Sequence, residues 1–431
     1  MKRTALLAVF AGAVAASVAC DRARSETYEG PYGARVADAI PRIERAVGLP
    51  FRTPPRLEAR SREQVRQFLE NRFNEDLPTR ELAGAERAYK RFGLLPDTMQ
   101  LRAFLLDLLT EQVVGYYDPR TKVLYVVEDA PDDLVGLTIT HELVHALQDQ
   151  YINLDSIQNL EGDNDRQSAL QAVIEGQATY EQLAVMLGNR NFAEAIPGGW
   201  DRIRDLIREN SSAMPLFSAA PMLIQETLIF PYVNGAEFVR RFRQRHSESV
   251  LFDDLPISTE QILHAEKFDP ATRDHPIRLT LPPSAEGTLV YENNLGEFET
   301  RLFLFQHLRD VGVAGRGAMG WGGDRYRIVE GRQGESIVWV SVWDTPLDAA
   351  GFHDLMIRVI QRRFGAGEGT PGADGTRVFR GRGRTLVLRA VEIGERPAVV
   401  YVDVPDGVNP DLIDVAEITA EEMRPETPAG Q

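Results

Sequence analysis

The chain has 431 residues, 43% of them hydrophobic and 26% charged, an ordinary globular balance with room for two or three packed domains. Its formal net charge of −16 argues against nucleic acid as a partner, because phosphate binding needs clustered Lys and Arg. A single cysteine, Cys20, excludes a disulfide within the chain and a thiolate ligand in a buried metal site.

The first stretch, "MKRTALLAVFAGAVAASVAC", has Lys2 and Arg3 followed by apolar and small residues. That is the layout of an export signal, and the run is too short and too Ala-rich for a membrane span. Residues 1–19 therefore read as a signal peptide. Cys20 at its end resembles a bacterial lipoprotein processing site, where the cysteine is acylated, with Ser17 in a place where that pattern prefers Leu. Ser17 and Ala19 also fit ordinary cleavage after small-x-small. Either route puts the protein outside the cytoplasm, and acylation of Cys20 would anchor it to a membrane of the bacterial envelope. Residues 20–34 read as a tether.

From residue 35 the pattern is helical: "VADAIPRIERAVGL", "SREQVRQFLENRFNEDL", "ELAGAERAYKRFGLLP" and "MQLRAFLLDLLTEQV" carry apolar residues at three- and four-residue spacing. "VVGYYDPRTKVLYVV" predicts a hairpin around Asp118-Pro119-Arg120-Thr121, and "KVLYVV" reads as an edge strand able to pair with an extended peptide. A helix through "THELVHALQDQY" follows, then the acidic loop "EGDNDRQ" and a second helix through "SALQAVIEGQATYEQLAVML". More helix is expected to about Arg245, broken at "IPGGW" and "IFPYVNG". Beyond Arg278 the texture turns to strands, with one helix, "PLDAAGFHDLMIRVIQRRF", among them. The expected class is α+β: a mainly helical domain over 35–278 with a small edge sheet, then an α+β domain over 279–415 with a mostly antiparallel sheet. Residues 416–431 read as a flexible tail.

"HELVH" carries the chemistry. On a helix, residues four apart lie on one face, so His141 and His145 can aim two imidazoles at one metal ion. Glu142 is rotated by about 100° and reaches a water beside that ion rather than the ion itself. Zinc suits imidazole and keeps an open position when three protein groups hold it. For the third ligand, Glu175 in "VIEGQATY" is favoured over Glu161, Asp163 and Asp165 of the acidic loop, because ligands on rigid elements hold geometry better. Gly176 and Ala178 are small, which predicts close approach to the His helix. Thr179, one turn on, is a candidate support for Glu175, and Asp149, one turn after His145, a candidate partner for a histidine.

The set His141-Glu142-x-x-His145 with Glu175 downstream resembles the gluzincin branch of zinc metallopeptidases. "HELVHALQDQ", "EGQATY", "LIFPYVNG", "STEQILHAEKF" and "GWGGDRY" are similar to motifs of a group of exported bacterial metallopeptidase-like proteins. The resemblance covers roughly residues 30 to 415 and implies a zincin-like domain followed by an extra α+β domain, with no substrate named. Gluzincins carry an Asp four residues after the glutamate ligand, where this chain has Thr179. They also place a Tyr or His to steady the oxyanion, for which His264 and Tyr232 are the candidates. His246, His275, His307 and His353 lack a partner at metal spacing. "GAMGWGGDRY" lacks the Lys-Ser/Thr pair of a phosphate loop.

These observations predict zinc-dependent hydrolysis of peptide bonds outside the cytoplasm, with Glu142 as general base. The alternative is a catalytically silent zincin-fold protein that binds or assembles partners at the envelope. The intact Glu142 speaks against it, since a structural site needs no base. A narrower third possibility is a zinc hydrolase of non-peptide amides.

Overall fold

The computed structural model describes residues 32–75, 79–130, 132–155, 162–188, 199–212, 214–246, 250–372 and 375–424. The expected signal peptide, Cys20, most of the expected tether and Glu161 lie outside the described residues.

The fold is α+β. Helix α1 (Gly33–Val47) and strand β1 (Arg56–Arg60) lead into helices α2 (Arg62–Glu75), α3 (Thr79–Phe92) and α4 (Leu101–Gln112). The hairpin β2 (Gly115–Asp118) and β3 (Val123–Val127) precedes helix α5 (Asp132–Gln148) and the long helix α6 (Asn164–Leu187). Next come α7 (Gly199–Ser212), α8 (Pro215–Ala219), α9 (Met222–Phe230), a π-helical turn Pro231–Gly235 and α10 (Ala236–Arg245). A short α11 (Thr259–Leu263), β4 (Ile277–Thr280) and β5 (Thr288–Asn293) follow, then α12 (Gly296–Leu308) and α13 (Val311–Ala318). The chain closes with β6 (Trp321–Gly331), β7 (Gly334–Trp343), α14 (Pro346–Phe364), β8 (Thr370–Pro371), β9 (Arg377–Gly381), β10 (Arg384–Ile393), β11 (Arg396–Pro405) and β12 (Thr419–Glu422).

Contacts divide the chain into two units. One comprises Met1–Leu69, Leu109–Asp155 and Gln177–Arg204, and the other Glu70–Leu108, Ser156–Gly176 and Asp205–Gln431. The boundary expected at 278/279 does not coincide with this division.

In the first unit, α1 lays Val36, Ile40, Ile43 and Val47 on one stripe. It ends at Gly48, whose φ of 84° lies in the left-handed region that favours glycine. The stripe packs with Leu124 and Val126 of β3, with Val135, Ile139, Leu143 and Leu147 of α5, and with Ala178 of α6. The small sheet has the order β1-β3-β2, with β1 parallel and β2 antiparallel to β3. The "KVLYVV" strand is therefore the middle strand and not an edge. All five of its residues are buried, which explains its continuous apolar run. The edge strands of this sheet are β1 and β2. "RLEAR" gave no warning of β1, because it lacks the β-branched and aromatic residues that mark strands.

The second unit carries a wholly antiparallel seven-stranded sheet in the order β5-β6-β7-β11-β10-β9-β8. One core forms from Val338, Val340 and Val342 of β7 with Val400, Val402 and Val404 of β11 and Ile277 and Leu279 of β4. Elsewhere in this unit Phe92 meets Phe303, Tyr326 and Trp339 edge-on, with ring centroids 5.1 to 5.7 Å apart. Helices α12 and α13 are additions to the single helix expected here. Glu297, Glu299 and Thr300 of α12 are as buried as its Phe and Leu residues, so the amphipathic stripe that marks a helix is missing. Residues 419–422, expected in a loose tail, form β12 against β4. "IFPYVNG" is not a helix break: the chain passes from α9 to α10 through the π-helical turn.

Candidate metal centre

Helix α5 presents His141 and His145 one turn apart, as the spacing dictates. Their Nε2 atoms are 3.2 Å apart. His145, Glu175 and His141 each offer a ligand atom, and the three atoms lie within 4.8 Å of one another. Tetrahedral zinc with Zn–N bonds of about 2.0–2.1 Å holds two nitrogens about 3.3–3.4 Å apart, so the imidazole pair already has the required spacing. Glu175 rides α6, an unbroken helix from Asn164 to Leu187.

A hydrogen bond of 2.8 Å joins His145 Nδ1 to the Gln148 Oε1, and Gln148 is fully buried. An amide oxygen only accepts, so Nδ1 carries the proton and the Nε2 lone pair is left for a cation. Gln148 Nε2 in turn donates to Gln177 Oε1 at 3.0 Å, and Gln182 Nε2 donates to the Leu137 carbonyl at 2.9 Å. These amides fix α6 to α5 on both sides of the histidines. The role considered for Asp149 thus belongs to Gln148. Asp149 instead accepts from the Tyr117 hydroxyl at 2.7 Å and from Lys122 Nζ at 2.6 Å. Burial, then the Asp149 carboxylate, push the Tyr117 phenol well above its usual range.

Glu142 Oε2 accepts the backbone N–H of Tyr117 at 2.8 Å. In the β2–β3 ladder Val114 and Val127 share a backbone bond, so alternate groups at positions 115 and 117 face away from β3. The carboxylate is thereby held beside the open edge of β2.

Two expected supports differ. A Cβ on Gly176 would run into the backbone of Gly235 in the π-helical turn, and one on Gly235 into the Ala172 carbonyl. Gly176 therefore permits close approach to that turn and not to the His helix, and Ala178 fills the latter role. The Thr179 hydroxyl is buried with no hydrogen-bond partner among the described residues, so it does not brace Glu175.

Tyr232, 37% exposed, sits on the π-helical turn. His264 Nε2 lies 2.8 Å from Oε1 of buried Glu297, and its Nδ1 is 3.9 Å from Glu266. The bond to Glu297 outweighs burial and raises the His264 pKa. The two described rivals from the acidic loop, Asp165 and Asp163, are engaged structurally. Asp165 accepts the Thr259 N–H at 3.0 Å, and Asp163 accepts Asn294 Nδ2 at 2.8 Å. Asp324 of "GWGGDRY" is a buried hub that accepts from Leu295 N, Gly296 N and the indoles of Trp321 and Trp339. Burial lifts it to about 6 despite these bonds. His307 is driven down to about 4 by burial.

A second group of acids, Glu260, Asp274 and Asp344, also converges. Lys267 Nζ sits among all three, at 2.5, 2.8 and 2.6 Å. An ammonium thus takes the place that a cation would need.

Gln148, Gln177 and Tyr117 are not among the candidate residues that the sequence marks for the metal centre. Gln148 was within reach: it stands three residues after His145 on the same helix, a spacing at which side chains meet. Nothing in the sequence pointed to the Tyr117 backbone.

Residues 287–406 match a family model described as "Domain of unknown function (DUF8575)". No curated protein and no solved structure matches the chain.

Proposed function

We propose that the protein is a zinc-dependent peptidase of the gluzincin type, exported and held to a membrane of the bacterial envelope through Cys20. The observation that carries this reading is the convergence of His141, His145 and Glu175 beside Glu142 at an open strand edge. The donor set, two imidazoles and one carboxylate, is one that zinc takes with a position to spare. A zinc ion there supplies Lewis acidity, lowering the pKa of a water and polarising the scissile carbonyl.

The chain's own groups do the rest. The edge of β2 can pair with an extended peptide and align it. Glu142, steadied by the Tyr117 N–H, accepts a proton from the attacking water and returns it to the leaving amine. Gln148 fixes the tautomer and direction of His145. For the oxyanion we favour Tyr232 over His264. The His264 Nε2 is engaged by Glu297, whereas Tyr232 lies on the turn whose Gly235 packs against α6 at Gly176, the residue after Glu175.

The test is to load the processed protein with zinc and incubate it with mixed peptides, with and without chelator, beside Glu142→Gln. One equivalent of zinc, chelator-sensitive cleavage, and a loss of about 10²–10⁴ in kcat with zinc retained are the expected results. Zinc binding without cleavage in any sample would turn the assignment to a silent binding module. Export and acylation are read separately, from the mass of the N-terminal peptide of the membrane fraction. Among the described residues no helix is long and apolar enough to cross a membrane.

A further inference from the structure

At the end of the small sheet, where β1 begins and β2 turns into β3, lies a pocket of about 450 Å³, lined by Arg52, Arg56, Tyr117, Lys122, Asp149 and Gln150, with Pro54 and Pro55 in its wall. It adjoins the candidate centre through Tyr117, whose N–H holds Glu142, and through Ala146, the residue after His145. Three cations face one carboxylate in a chain whose formal net charge is −16. That carboxylate is already engaged. The Asp149 side chain is 1% exposed and is bound by Lys122 and the Tyr117 hydroxyl.

The two arginines keep their charge available. Arg52 donates from Nη1 to the Gln150 carbonyl at 2.7 Å and lies 4.1 Å above the Tyr151 ring. Both partners are neutral, so they position the guanidinium without cancelling it. Arg56 has Glu58 at 3.6 Å, but the two side chains are 65% and 52% exposed, which makes the pair weak. Pro54 and Pro55 restrict the backbone of that wall.

We propose that this pocket selects substrates carrying a carboxylate close to the scissile bond, with Arg56 and Arg52 as its recognition groups. The carboxylate comes either from an Asp or Glu side chain or from the end of a peptide chain. The cleavage part rests on the peptidase reading, whereas the binding preference stands by itself.

The experiment uses zinc-loaded Glu142→Gln protein and fluorescent peptides that differ only in Glu, Gln or Lys at one position, each with a free or amidated C-terminus. Anisotropy should show the Glu peptide binding about tenfold tighter than the Gln peptide at one position. Adding Arg56→Glu should reverse the order in favour of Lys, and Arg56→Ala should fall between. Loss of the preference on amidation alone assigns it to the chain end, and its survival assigns it to a side chain. Equal binding of Glu, Gln and Lys peptides, absence of binding by all of them, or indifference to Arg56→Glu would overturn the pocket. Wild-type cleavage without acid preference removes the pocket and leaves the peptidase. Acid-preferring binding with no cleavage by zinc-loaded wild type does the opposite.

Discussion

Two groups of side chains that could each hold a metal ion invite comparison. His141, His145 and Glu175 combine two bases that are neutral in the liganding state with one acid, whereas Glu260, Asp274 and Asp344 combine three acids. Bringing three carboxylates together out of bulk water requires a compensating cation, and the chain supplies its own in Lys267. Proximity of donors is thus a poor guide to a metal site. The chemistry of the donors, and whether the protein has already answered their charge, separates the two cases. The imidazole pair has a further feature that the acid group lacks: Gln148 commits one nitrogen and turns the other inward.

The comparison can be broken most forcefully at Lys267. Lys267→Met leaves three converging carboxylates, one of them almost fully buried, and should cost about 3–5 kcal/mol, read as a lower urea midpoint at pH 7. Burial holds Glu260 and Asp344 above the usual carboxylate range, and without the ammonium they rise further. They then take up protons as pH falls, so the loss should shrink toward pH 5. A loss that is independent of pH would mean that the lysine serves by packing.

Glu299 sharpens the contrast, as a buried acid that accepts a hydrogen bond from the hydroxyl of Tyr89 at 2.9 Å. Burial raises it from 4.5 to about 7. A carboxyl with a raised folded pKa stabilises the fold fully below its unfolded value, and that contribution is lost as pH climbs from about 4.5 through about 7. Glu299→Gln should therefore raise stability at pH 8 by roughly 2–3 kcal/mol and change it little at pH 4.5, measured by urea titration at both values. The smallest effect belongs to Gln148→Ala. Zinc affinity, read by competition with a chromogenic chelator, should fall about 10- to 100-fold with one equivalent still bound at saturation. Unchanged affinity would deny the amide its orienting role.

How far the amino-acid pattern revealed these features depended on where each signal lives. The His helix and the strands after Arg278 were legible because their periodicities are local. Glu175 was legible as a candidate because it stands mid-helix next to a glycine, although that glycine faces the π-helical turn and not α5. What escaped were features set by tertiary pairing. β1 is polar and exists because β3 offers it a ladder. α12 hides its period behind buried acids. The exchange of Asp149 for Gln148 turned on which of two neighbouring buried side chains meets the His145 ring, which a single helical turn does not decide.

The back-to-back glycines at 176 and 235 have a consequence for how this protein tolerates change. With no side chain on either, two stretches of main chain touch, and a single added methyl has no gap to enter. A Gly→Ala exchange at position 235 must push aside the helix that carries Glu175, the acid proposed to hold the metal. Damage there would look like a weakened grip on an ion in a protein whose every coordinating atom is intact.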